Sequence, residues 1–287
     1  MHWLYTLLLP TLYFATPLIL AALGELVVER AGVVNIGIEG MMLAGALGAW
    51  AGSAYHGPAA GLAFAVVAAV ALSLPFAVAT LGFAADQIVT GTGVNLLALG
   101  VTGMLYKLIP ASVGGNVAGV DKRIAIGATP VLAVLVWGYF RFTRSGLELA
   151  AIGESPQAAD TAGISVNGRK FAAILFGAGC AGLAGAYLSI MYNRLFTENM
   201  TDGVGFLALA MVIFGRWQAA GVVAAGLFFG LVRAIANLIE TQSGATFSPA
   251  TLRLFGMLPY VVSLAALAGA AGKSGSPAAL GRAYVRE

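Results

Sequence analysis

Apolar residues along this chain fall into nine long runs separated by short polar connections. A helix that crosses a membrane needs about 20 mostly apolar residues, and most of the runs approach that length. The run at 202–215 is short, and we interpret it as a half-helix or a re-entrant segment. The pattern predicts an all-α membrane protein, a polytopic bundle of about 8–10 transmembrane helices. The runs lie at 4–24, 33–54, 58–82, 88–109, 128–142, 171–192, 202–215, 219–240 and 252–271.

The composition supports a membrane protein and argues against other classes. Of the 287 residues, 60% are hydrophobic and 9% are charged, whereas soluble domains carry about 25% charged residues. No segment is polar enough for a second domain, so 1–287 is predicted to be one transmembrane domain. The Lys and Arg residues are scattered, unlike a nucleic-acid footprint. The single Cys180 lies in an apolar run and provides neither a disulfide framework nor a metal cluster.

The distribution of basic residues predicts the orientation. The first apolar run has no Lys or Arg before Arg30, and an uncharged N-terminus is easily translocated, so we expect it on the outer side. Nine spans then place the C-terminus in the cytoplasm. The connections predicted to be cytoplasmic contain more Lys and Arg than the outer ones, as the positive-inside rule requires.

Small residues and an internal similarity suggest how the bundle is assembled. Pairs such as Gly48 and Gly52 are spaced to let helix backbones approach closely in lipid. The stretch "NIGIEGMMLAGALGAW" at 35–50 resembles "DGVGFLALAMVIFGRW" at 202–217 in its initial polar residue and its final Gly and Trp. Matched halves are common in transporters. We therefore predict two related halves.

One polar stretch, 144–170, lies on the predicted cytoplasmic side. Ser155 is a good N-cap, Pro156 suits the first helical position, and Gly163 suits a left-handed C-terminal cap. These residues predict a helix over 156–162. Seven residues form no stable helix alone in water, so the helix must dock on its own bundle or on a partner, and both alternatives stay open. The face predicted to be exposed carries Ala158, Ala159 and Ala162.

Four stretches carry a family resemblance: "ERAGVVNIGIEGMMLAGA" at 29–46, "GESPQAADTAGISV" at 153–166, "FTENMTDGVGFLALAMVIFGRW" at 196–217 and "MLPYVVSLAALAGAAGKSGSPAALG" at 257–281. Together they resemble permease subunits of bacterial ABC importers of the ribose and branched-chain amino-acid class. The likeness is greatest to the shorter permease of nucleoside, or simple sugar, importers. It extends over nearly the whole chain.

The resemblance implies an ATP-driven importer in the bacterial cytoplasmic (inner) membrane, with this chain forming the translocation path for nucleosides. The implied partners are a cytoplasmic ABC ATPase, a second related permease and an external substrate-binding lipoprotein. The ATPase would use ATP and Mg²⁺, and this chain would bind no cofactor of its own. A purine nucleoside, a pyrimidine nucleoside and a simple sugar remain open as solutes. Pairing with itself or with a relative also remains open.

The resemblance also assigns a role to the polar stretch. In that family the loop matching 144–170 carries a coupling helix, which inserts into a cleft of the ATPase. Carried onto this sequence, the contact would involve Gly153, Glu154, Ser155, Pro156, Ala158, Ala159 and Gly163.

Signatures of catalysis are missing from the sequence. The nearest approach to a phosphate-binding loop is "LAGAAGKS" at 267–274, which begins with Leu267 rather than Gly and lies at the end of an apolar run. There is no H-E-x-x-H motif. Glu25 and Glu29 are spaced like paired acids but are interpreted as a solvated loop beside Arg30. We therefore expect a transport subunit and not an enzyme.

Polar residues inside the apolar runs are candidates for the translocation path, because ionisable groups are costly in lipid. Asn35 and Glu39 lie one helical turn apart. They either line the path or fix a break between two half-helices, and the second interpretation is favoured. A proton-coupled carrier using Glu39 is the alternative function. The candidate path residues are Asn35, Glu39, Thr92, Asn95, Arg233 and Asn237.

Overall fold

The computed structural model describes residues 2–110, 117–243, 257–270 and 275–284. Within these ranges the chain forms eleven α-helices and no strand. Two of the helices, α3 and α8, continue into π-helical turns at Val78–Gly82 and Tyr187–Asn193. The helices are α1 His2–Arg30, α2 Ile38–His56, α3 Pro58–Ala77, α4 Gln87–Leu108, α5 Lys122–Phe142, α6 Arg144–Glu154, α7 Pro156–Thr161, α8 Val166–Ala186, α9 Val204–Phe214, α10 Ala219–Ser243 and α11 Leu258–Ala270.

The predicted all-α polytopic architecture is confirmed. In the described part of the chain, six helices are long and apolar enough to cross a membrane: α1, α3, α4, α5, α8 and α10. The run at 202–215 corresponds to α9, which has 11 residues and is too short to span. The last predicted run, 252–271, lies partly outside the described residues and contains α11. The two related halves remain a prediction.

The core is built around α8, which packs against both α1 and α2 through small residues. Gly45 of α2 lies against Gly182 of α8 so closely that a Cβ on Gly45 would come within 2.7 Å of the Gly182 carbonyl oxygen. Gly48 and Gly52 face α3, where a Cβ on Gly48 would come within 2.7 Å of the Phe64 carbonyl oxygen. Close backbone contact of this kind is how helices associate where lipid removes the hydrophobic driving force.

One boundary differs from the prediction and changes the interpretation of two acids. The first run ends at residue 24 by hydropathy, but α1 continues to Arg30. Glu25 and Glu29 are therefore helical and buried, with 0% and 3% exposure. The interpretation of this pair as a solvated loop is wrong, because both side chains are buried and each accepts a hydrogen bond from a residue outside α1.

Candidate functional site

The short helix α9 begins inside the protein at a carboxylate of α2. The backbone amide of Gly203 donates to Glu39 Oε1 at 2.9 Å, and that of Gly205 donates to Glu39 Oε2 at 2.6 Å. The amides at a helix N-terminus have no partner within the helix, and the helix dipole favours negative charge there. Glu39, 8% exposed, therefore fixes the start of α9. Among the residues that the structure describes, its hydrogen-bond partners are backbone amides and not an arginine.

The start of α2 is held in a similar way by a side chain of α4. Asn95 Oδ1 accepts a hydrogen bond from the amide of Gly40 at 2.8 Å, and Asn95 Nδ2 donates to the carbonyl of Ile36 at 3.0 Å. The Asn95 side chain is buried. The candidate residues Asn35, Glu39 and Asn95 thus lie at one junction of helix ends. For Asn35 and Glu39 the helix-break and path interpretations both remain predictions.

The segment between α1 and α2 is held by buried side chains that the sequence analysis did not select. Glu25 Oε1 accepts from the amide of Asn35 at 3.0 Å, and Gln87 Oε1 accepts from the amide of Val34 at 2.7 Å. Glu29 accepts from the indole nitrogen of Trp217, just beyond α9. Sequence spacing gives no signal for these contacts, because each partner lies on a separate element.

A cavity of about 170 Å³ lies beside the start of α9. Its walls come from α1, the π-helical turn after α8, Met200, α10 and the first residue of α9. Of the candidate path residues, only Arg233 lines it. The lining residues are Tyr13, Phe14, Pro17, Leu18, Tyr187, Leu188, Tyr192, Asn193, Met200, Val204 and Arg233.

Four aromatic side chains and the guanidinium group of Arg233 line this cavity. The Tyr192 ring lies 6.3 Å from the Tyr187 ring and 5.8 Å from the Phe14 ring, measured between centroids. Arg233 Cζ lies 6.0 Å from the Phe14 centroid. Among the described residues no carboxylate forms an ion pair with Arg233. The aromatic residues were not predicted, because single aromatics in apolar runs are typical of ordinary core.

Two candidate path residues lie away from both the junction and the cavity. Thr92 is exposed on α4, and its hydroxyl donates to the carbonyl of Ile88 within the same helix at 2.9 Å. Asn237 is exposed on α10, one turn after Arg233. A larger cavity of about 400 Å³ between α1, α5, α6 and α8 is lined mostly by apolar side chains. It offers few groups that could hydrogen-bond a hydrophilic solute.

The predicted helix in the polar stretch is present as α7. Ser155 is its N-cap and its hydroxyl accepts from the amide of Ala158 at 3.4 Å. Gly163 has φ +82°, the left-handed conformation expected after the last turn. The helix ends at Thr161, one residue before the predicted end. Local capping signals therefore located this element correctly.

The predicted exposure of α7 needs a correction. Ala159 is 3% exposed and packs with Ile152 and Val166, so it does not belong to the exposed face. Gly153 and Pro156 are also buried. Every third or fourth residue of a helix shares a face, and here that face docks on the chain's own bundle. Of the proposed coupling residues, Glu154, Ala158 and Gly163 are exposed, and Ser155 is half-buried.

Contacts at the end of α6 connect this loop to the junction. The carbonyl of Gly153 accepts from the amide of Ala279 at 2.9 Å, and a Cβ on Gly153 would overlap the carbonyl of Arg30 at the end of α1. The amide of Gly281 donates to the carbonyl of Gly32 at 3.3 Å. The loop therefore packs directly on the segment that leads to Asn35 and Glu39.

Comparison with known proteins defines the family. Residues 7–267 match the family described as branched-chain amino acid transport system / permease component. The chain belongs to this family of ABC transporter permeases, and is therefore a multi-pass membrane transport component.

The curated relatives extend over almost the entire chain. The guanosine ABC transporter permease NupQ of Bacillus subtilis is 33% identical over 96% of this chain and 95% of its own length. The nucleoside ABC transporter permease NupC of Lactococcus lactis is 32% identical, covering 96% and 95%. TsgC13 of Haloferax volcanii, whose name assigns it to glucose transport, is 32% identical, covering 98% of both chains.

A second permease of Bacillus subtilis is also similar. NupP, likewise described as a guanosine ABC transporter permease, is 27% identical over 80% of this chain and 69% of its own length. No solved structure matches this chain.

Proposed function

We propose that this chain is a permease subunit of an ATP-driven importer of nucleosides in the bacterial inner membrane. The observation that carries the proposal is the similarity, over nearly the full length of both chains, to permeases described as transporting guanosine and nucleosides. Glucose import is the second candidate, supported by the similarity to TsgC13. The aromatic cavity favours a solute with a planar ring, since aromatic side chains stack on nucleobases.

The proposal includes three partners. A cytoplasmic ABC ATPase would dock on the exposed face of α7, around Glu154, Ala158 and Gly163, and would use ATP and Mg²⁺. A second, related permease would complete the path, which is supported by the similarity of this chain to both NupQ and NupP. A substrate-binding lipoprotein would deliver the solute from outside. This chain would bind no cofactor and catalyse no bond chemistry.

The contacts of the loop provide a route for coupling. Movement of α7 by the ATPase would shift Gly153 against the end of α1 at Arg30. The segment after α1 leads to Glu39, which holds the start of α9 beside the cavity. A displacement at the loop would therefore reach the cavity through a continuous series of packed elements.

Reconstituted transport tests the proposal. Proteoliposomes would contain this chain with its candidate ATPase and second permease, with binding protein outside and ATP inside. We expect ATP-dependent uptake of radiolabelled guanosine, adenosine or uridine in preference to ribose and glucose. Uptake of glucose alone would replace the nucleoside proposal. Uptake by this chain alone, driven by a proton gradient, would overturn the importer proposal.

A matched pair of variants tests the ATPase contact. Ala158→Arg places a long charged side chain on the exposed face of α7, and we expect uptake to fall at least tenfold. Asn167→Arg adds the same side chain at an exposed position in the first turn of α8, and we expect little change. Equal effects of the two substitutions would contradict docking on α7.

A further inference from the structure

Three elements that line the aromatic cavity beside α9 begin, end or lose a backbone hydrogen bond there. Pro17 interrupts the hydrogen bonding of α1, α8 ends there in a π-helical turn, and Val204 is the first residue of α9. Irregular backbone inside a membrane is tolerated where it is buried in protein or lines a cavity. In transporters such interrupted helices surround the solute site. The cavity is therefore a candidate binding site.

The walls of the cavity suit a flat, unsaturated ring. Phe14, Tyr187 and Tyr192 contribute three rings whose centroids are 5.8 to 6.3 Å apart along the series. Lys122 Nζ lies 3.9 Å from the Tyr13 ring centroid and 5.6 Å from that of Tyr192, so a cation lies over two of the rings that line the cavity. A planar solute can stack on the faces of such rings.

The chemistry of Arg233 narrows the class of solute. A guanidinium group has five N–H donors in a fixed planar fork and no acceptor. Its neighbours in the described structure are the ring of Phe14, the side chain of Tyr192 and the hydroxyl of Tyr260, with which it hydrogen-bonds. Because a guanidinium group has five donors, one bond to Tyr260 leaves others for a solute that presents two adjacent acceptors. The O6 and N7 atoms of guanine are such a pair, whereas adenine presents an amine donor beside N7.

We propose that this cavity binds the base of a 6-oxopurine nucleoside, such as guanosine or inosine, during its passage. The base stacks on Tyr192 and its O6 and N7 accept from Arg233. A volume of about 170 Å³ is below the roughly 300 Å³ at which sites for whole small molecules begin. The cavity therefore holds the base, and the ribose passes only when the cavity widens. The inference rests on the proposed function and adds the class of solute and its contacts.

Cysteine protection tests occupancy without the binding protein. Cys180→Ala removes the only cysteine, and Asn193→Cys then places a single thiol in the cavity lining. In the reconstituted permease–ATPase complex, we expect guanosine and inosine to slow alkylation of this thiol at least threefold. Adenosine and glucose at the same concentration should not slow it. Equal protection by adenosine, or no protection by any nucleoside, would overturn the proposal.

Uptake ratios provide a second, independent measurement in the complete importer. Arg233→Lys keeps the charge but removes the fork, and we expect the ratio of guanosine to adenosine uptake to fall about tenfold. Tyr192→Leu should reduce guanosine uptake, while Tyr192→Phe preserves it. Thr241→Ala, farther along the same helix and outside the cavity lining, is the control and should leave the ratio unchanged.

The nucleoside importer and the base site in the cavity can be contradicted separately. ATP-dependent guanosine uptake with no protection at Asn193→Cys and no change of ratio in Arg233→Lys would leave the nucleoside importer intact and remove the cavity from its path. Loss of nucleoside uptake in the unsubstituted importer, together with uptake of glucose, would overturn both.

Discussion

Two short helices of this protein, α7 and α9, begin in opposite ways. The N-terminus of α7 is capped by Ser155, the residue just before it, at the protein surface. The N-terminus of α9 is buried and capped by Glu39, whose separation along the chain from Gly203 is 164 residues. Both caps satisfy amides that have no partner within the helix. They differ in what else depends on them, since only the remote cap connects two elements of the core.

This difference predicts where substitutions have their largest effects. A surface cap can be replaced by water, so its loss costs about 1 kcal/mol. Water does not reach a buried cap in the same way, and a buried group left unpaired costs about 1–3 kcal/mol, with more for charged groups. The remote cap also positions α9 against the cavity. Its loss is therefore expected to affect stability and transport together.

Glu39→Ala should produce the largest effect. The substitution removes both acceptors and leaves the amides of Gly203 and Gly205 without partners in a buried site. We expect the free energy of unfolding to fall by about 3 kcal/mol or more. Thermal or denaturant unfolding of the purified complex in detergent measures this change. Glu39→Gln keeps one acceptor and should be intermediate, and a Glu39→Ala variant as stable as the parent would show that the cap contributes nothing.

Gly205→Ala tests the same contact from the side of α9. A Cβ at this position would come within 2.7 Å of Glu39 Cα and of its Oε2 atom. Overpacking of this kind costs about 1–3 kcal/mol, so we expect a clear loss of stability and of uptake. The control is Gly100→Ala on α4, where a Cβ would meet nothing within 4 Å. Here higher helix propensity should raise stability by up to about 1 kcal/mol.

Asn95→Ala tests the second remote cap, at the start of α2. The substitution leaves the amide of Gly40 and the carbonyl of Ile36 unpaired, and we expect a cost of about 1–3 kcal/mol. Thr92→Ala is a matched control on the same helix, because Thr92 is exposed and bonds only within α4. Its effect should stay within about 0.5 kcal/mol. Equal unfolding midpoints for the two variants would contradict a role of Asn95 at the junction.

The comparison of caps also explains which parts of the structure the sequence could predict. The apolar runs located the membrane helices, and the triplet Ser155, Pro156 and Gly163 located α7, because each signal is contained within one continuous segment. The helix α6, at the start of the polar stretch, was not predicted. The burial of Glu25 and Glu29 was not predictable in this way. Hydropathy registers the cost of a carboxylate in lipid but not the distant amide or indole that offsets it.

The candidate site was predictable in part for the same reason. Arg233 could be selected because an arginine in an apolar run is unusual. Phe14 and Tyr192 could not, since nothing local distinguishes an aromatic that lines a cavity from one that fills the core. Thr92 was selected on polarity alone, and the structure places it on an exposed face. Which side chains converge is a property of the packing, which no short window of sequence contains.

Ser155→Ala should have the smallest effect on stability and separates the two kinds of cap most directly. Loss of the hydroxyl removes one bond to the amide of Ala158 at the surface, so we expect about 1 kcal/mol of local stability to be lost. Because α7 has only six residues, this loss should fray the helix while the unfolding midpoint of the whole protein stays nearly constant. We therefore expect a measurable fall in ATP-dependent uptake with little change in the unfolding midpoint.

Ser165→Ala is the matched control, since Ser165 precedes α8 but makes no capping bond through its side chain. Equal uptake by the two variants would show that the cap of α7 has no part in coupling.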